Sequence, residues 1–84
     1  MSKEKAAQET VVGVFIPDGW DADFRVTSLF LACDGEREIA VRNLVERPEL
    51  LDLVRRRARV TGTVAADGLR EIMDVETVRL LDEG

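Results

Sequence analysis

Histidine and tyrosine are absent from this sequence, and cysteine and tryptophan occur once each. With Cys33 as the single thiol no intramolecular disulfide can form, and without histidine a structural zinc site is excluded. The same shortage removes the usual general base and any thiol–imidazole pair for nucleophilic catalysis. The seventeen acidic residues show no spacing that marks an acid/base pair, so neither catalytic residues nor a cofactor are expected. Long apolar runs are lacking too. Residues 1–9 contain no stretch of signal-peptide length, and nothing approaches the ~20 apolar residues of a membrane helix. These absences lead to the expectation of a non-enzymatic protein in a reducing, cytoplasmic setting, with no membrane partner and no metal.

What is present is ordinary for a globular chain. Apolar residues make up 45% and charged residues 35% of the 84 positions, enough for one hydrophobic core and too few for two. Burial at this size leaves a thin stability margin, which makes a homodimer a reasonable expectation. The net charge of −5 and pI of about 4.7 count against a phosphate-gripping surface, because backbone binding draws on clustered cations.

Residues 1–9 are short, polar and charged and read as a disordered lead-in to a domain over 10–82. A first strand is expected over 10–16, interrupted by Gly13, where glycine marks a bulge, a coil or a close backbone approach. Residues 17–23 read as a loop from their Pro, Gly and Asp content. A second strand follows over 24–33, with Phe24, Val26, Ser28, Phe30 and Ala32 on one face and Arg25, Thr27, Leu29, Leu31 and Cys33 on the other. Both faces are apolar enough that the outward one is not decided. Asp34-Gly35 signals a two-residue hairpin turn leading to a third strand over 36–43. Pro48 suits the first turn of a short helix that fades near Arg57. A fourth strand over 59–64 and a turn at Asp67-Gly68 lead to a last segment over 69–81, whose imperfect alternation allows a helix but favours a strand with a bulge near Glu76-Thr77.

Three strands, a short helix and a final hairpin give an all-β chain with one helix. In the run Val11-Val12-Gly13-Val14-Phe15, the run Val60-Thr61-Gly62-Thr63-Val64 and the Asp67-Gly68 turn, the sequence resembles the OB-fold superfamily. That resemblance implies a five-stranded Greek-key barrel in which Gly13 lets the first strand coil between both sheets. It also implies a binding face on the second and third strands, flanked by the loops joining strands one to two and four to five.

On that face and its loops the candidate contacts are Trp20, Arg25, Thr27, Arg37 and Arg42, with Gly13, Gly62 and Pro48 as structural positions. Two roles are open to Trp20: a contact that stacks on a base or fills a partner's pocket, or a lid folded over the barrel end. Phe15, Phe24 and Phe30 are expected in the core rather than on a stacking platform. The run Arg55-Arg56-Arg57-Ala58-Arg59 is read as cations complementing a helix C-terminus, in preference to a phosphate or acidic-partner patch. Cys33 beside Asp34 is expected to be a passive thiol. The function expected is a binding or adaptor domain that contacts single-stranded nucleic acid through its second and third strands; the alternative is a protein–protein or self-association module.

Overall fold

A computed structural model describes residues 6–81. It shows β1 (Ala7–Trp20), β2 (Val26–Cys33), β3 (Arg37–Val41), a 3-10 helix (Pro48–Leu53), β4 (Arg57–Asp67) and β5 (Arg70–Leu80). The strands close into a barrel in the order β1-β2-β3-β5-β4. This is the all-β, five-stranded barrel with one short helix that the sequence pattern implies. Neighbours are antiparallel except β3 and β5, which run parallel, and β1 closes the ring by pairing with both β2 and β4.

Gly13 stands where β1 serves both neighbours, opposite Cys33 on one side and Ala58 on the other. A Cβ there would lie 2.4 Å from the carbonyl oxygen of Ala32, so the close backbone approach admits no side chain. Gly62 has the same constraint, 2.2 Å from the carbonyl oxygen of Asp74. Beside it Thr61 pairs with Thr77 and Gly62 with Val75, leaving Glu76 as the extra residue of the expected bulge.

Alternation along the strands fills the barrel with Phe15, Leu29, Leu31, Ile39, Val60, Met73 and Val75. Leu50 from the 3-10 helix joins this cluster and closes one end. Pro48 stands in the first turn of that helix, where its missing N–H costs nothing. At the other end Arg37 donates from Nε to Glu71 (2.8 Å) and pairs through Nη2 with Glu9 (3.0 Å). Beneath these charges Cys33 is half-buried; burial first, then the neighbouring carboxylates, pushes its thiol pKa up, against the pull of Arg37.

Several local expectations are corrected. β1 starts at Ala7, so residues 7–9 belong to the barrel, while 1–5 of the expected lead-in lie outside the described residues. Residues 17–19 continue β1 rather than turning, because register shifts around Gly19 absorb Asp18, whose Oδ1 accepts from the Ser28 hydroxyl at 2.6 Å. The hairpin after β2 has three residues, since Cys33 pairs with Arg37, and Gly35 and Glu36 both take positive φ. In the β4–β5 turn Asp67 pairs with Arg70, so Gly68 and Leu69 form the turn, with only Gly68 at positive φ, as a type II′ turn requires. Phe15 alone of the phenylalanines is in the core: Phe30 lies half-buried on the outer face and Phe24 is 86% exposed. Lastly, the helix stops at Leu53 and never reaches the arginines. Val54 takes extended backbone and bridges to Phe15, Arg55 N–H donates to the Phe15 carbonyl, and Arg55 itself turns through a left-handed φ of 69° into β4.

Candidate functional site

The loop between β1 and β2 is built around Asp21. Its Oδ1 accepts from the backbone N–H of Asp23 (2.8 Å) and of Arg25 (3.0 Å), an Asx-type arrangement that replaces a backbone turn. Phe24 N–H donates to the Asp21 carbonyl, and the tight loop forces Phe24 to φ 66°. A bulky aromatic residue seldom occupies that left-handed region. Here it projects a ring that nothing covers.

Across the barrel end the segment after β3 is stitched to β5. Asn43 exchanges two hydrogen bonds with the Val75 backbone, donating to its carbonyl (2.9 Å) and accepting from its N–H (2.8 Å). Arg47 donates to the Glu76 carbonyl and to Glu49. So anchored, the segment sets Leu44, Val45 and Pro48 against Val26, Thr27 and Leu51, around a groove of about 290 Å³. Trp20 stands opposite Val26 in the β1–β2 register, and Phe24 precedes Val26 by two residues in the loop. Trp20 is 56% and Val45 89% exposed, which is unusual for residues this large in a molecule this small. Leu50 is buried in the core, whereas more than half of Trp20 stays open to solvent.

Exposed carboxylates alternate with these apolar groups along the chain: Asp21 and Asp23 by Phe24, Glu46 by Val45, Glu49 by Pro48, and Asp52 by Leu51. The cations among them are Arg25, whose side chain is exposed, and Arg47, already engaged. The carboxyl of Glu49 is held below its ordinary range, first by its own backbone hydrogen bond and then by Arg47. The rim therefore carries an excess of negative charge.

The residues singled out from sequence do not gather in one place. Trp20, Arg25 and Thr27 lie at the β1–β2 loop and groove. Arg37 sits at the opposite barrel end with Glu9 and Glu71, and Arg42 binds Asp74 through two hydrogen bonds (3.1 and 2.7 Å). The Arg42 pair holds the Asp74 carboxyl below its ordinary range. On β2, Leu29 and Leu31 point inward, so the outer β2–β3 face carries Ser28, Phe30, Ala32, Glu38, Ala40 and Arg42. Sequence reasoning missed Leu44, Val45 and Leu51; the available signal was Leu44-Val45 standing apolar between Asn43 and Glu46 where no strand or helix was expected.

Among the described residues no group of three metal-ligating side chains forms, and no helix is long and apolar enough to cross a membrane. Nothing matches this chain among protein-family models, curated proteins or solved structures. Its function is therefore argued from the surface alone.

Proposed function

We propose that the chain is an OB-type barrel acting as a non-enzymatic protein-binding module. In this reading the groove beside the β1–β2 loop receives an apolar segment of another protein flanked by Lys or Arg. The observation that carries this reading is Phe24, held by Asp21 in a left-handed conformation and left 86% exposed in the loop that leads into Val26 and Thr27 of the groove. Strain kept at an exposed aromatic residue is characteristic of contact sites. The carboxylate rim supplies the charge complementarity that selects a basic partner. The parallel β3–β5 pairing and the barrel order support the OB-type assignment. A cytoplasmic setting agrees with the lone half-buried thiol.

Single-stranded nucleic acid on the β2–β3 face is the less favoured reading. Two of the cations it would use, Arg37 and Arg42, are bound to carboxylates, and Phe30 stands on that face without a second aromatic residue.

Selection from a random peptide-display library tests the proposal. Peptides with two or more apolar anchors among Lys and Arg should enrich on the native protein, shift Trp20 fluorescence, and bind about tenfold or more weakly to Leu51→Glu. Enrichment of acidic peptides, or of none that depends on Leu51, would overturn it.

A further inference from the structure

A second surface lies on the outer face of β4 and β5, apart from the groove just described. Arg59 and Arg79 face each other directly across the ladder, and Thr61 and Thr77 form the next outward-facing pair. Together with Val78 they line a shallow depression of about 340 Å³. Like charges placed directly opposite one another repel across a sheet. Four other arginines are set against acids, Arg37 on Glu71 and Glu9, Arg42 on Asp74, Arg47 on Glu49 and Arg57 on Asp34, and none of these stands opposite a second arginine in the ladder. Arg59 and Arg79 have no hydrogen-bond or carboxylate partner among the described residues. Thr10 and Thr61 share a hydroxyl–hydroxyl hydrogen bond of 2.8 Å, which fixes the Thr61 side chain beside the depression. Further along this face, Glu76 is engaged by Gln8 and Thr63.

We propose that this depression binds the phosphate-monoester group of a small phosphorylated molecule. Two guanidinium forks approaching from neighbouring strands suit a tetrahedral phosphoryl group, whose three terminal oxygens and double charge exceed what a carboxylate offers. The two threonine hydroxyls supply further donors at the edge. A bound dianion also cancels the repulsion that the bare pair of arginines carries. The wall holds one valine, Val78, and no aromatic ring on which a nucleobase could stack, which separates a single phosphoryl group from a nucleic-acid strand as the ligand.

Titration with inorganic phosphate and with phenyl phosphate, at ionic strength held constant with sodium chloride, tests the site by NMR. The amide signals of Thr61 and Thr77 should move saturably with both, and acetate should bind about tenfold more weakly or worse. The variant R79Q should weaken phosphate about tenfold, while its urea midpoint in phosphate-free buffer stays at or above that of the native protein because a repulsion is removed. R79Q should leave peptide binding at the groove unchanged, so the two sites fail independently. Shifts that follow ionic strength alone, or that persist in R79Q, would overturn the proposal. So would an oligothymidylate binding about a hundredfold tighter than phosphate through the same arginines, since a strand would then be the ligand.

Discussion

A left-handed conformation costs an ordinary L-residue about 1–2 kcal/mol, and asparagine tolerates it better than phenylalanine. Phe24 carries that cost at φ 66° with almost none of its ring buried in return. Phe24→Asn should therefore raise stability by about 0.5–1 kcal/mol, seen as a higher urea midpoint at unchanged slope, while weakening binding of the selected peptides. A lower midpoint would mean that the ring supports the fold and is not held out for a partner. Gly13 is the opposite case, a residue kept for what it lacks. Gly13→Ala drives a Cβ to 2.4 Å from a backbone oxygen that cannot move without parting β1 from β2, and should cost about 2–3 kcal/mol. Gly35→Ala is the control: with φ 81° and nothing within 4 Å, it incurs only the left-handed penalty of about 1 kcal/mol. Equal losses at both positions would remove the close approach as the reason for Gly13.

At the scale of elements, the charged barrel end makes stability depend on pH. Hydrogen bonds from Arg37 hold the Glu71 carboxyl below its ordinary range, and the same contacts raise the Arg37 pKa. A carboxyl whose folded pKa is depressed stabilises the fold above its unfolded value of about 4.3, and that contribution is lost as pH falls through the folded value. Both side chains are about a third exposed, so solvent screening limits the pair to roughly 1 kcal/mol or less. Glu71→Gln should thus be less stable than the native protein at pH 7, and the gap should narrow as acid protonates the Glu71 carboxyl. A gap that does not change with pH would show that the ion pair contributes nothing. What the sequence revealed about these elements follows the reach of each signal. Turn residues, β-branched runs and the Glu76 bulge are local, and they located five strands and a helix. The orientation of β2 is not local: Phe15, Leu31 and Ile39 form one cross-strand row, and Ile16, Phe30 and Ala40 the adjacent one. Either row could face inward until the whole barrel is closed. The arginine run was misplaced for a similar reason, since only the pairing of Val54 and Arg55 with Phe15 shows where the helix ends. Of the residues around the groove, Thr27 is legible from its strand, whereas Val45 and Leu51 reach it only through the stitching of Asn43 and Arg47 to β5.

For the whole molecule, the direction of salt dependence distinguishes the partners open to the groove. A second copy of the chain would approach by a two-fold axis, which places the same patch on both sides of the contact. The carboxylates Asp23, Glu46, Glu49 and Asp52 of one copy would then meet the same acidic patch on the other, and the repulsion opposes a dimer that the apolar groove favours. Salt shortens the screening length from about 30 Å at 0.01 M to about 8 Å at 0.15 M, so it relieves that repulsion. Self-association through the groove should consequently strengthen as salt rises, whereas a Lys- or Arg-flanked segment should bind most tightly at low salt and loosen as salt is added. Sedimentation velocity over this range, on the native protein and on Leu51→Glu, separates the two. The proposed function requires a monomer at low salt whose peptide affinity falls with ionic strength. A dimer already formed at 0.01 M salt and abolished by Leu51→Glu would assign the groove to the second copy instead, because hydrophobic burial would then outweigh the facing carboxylates.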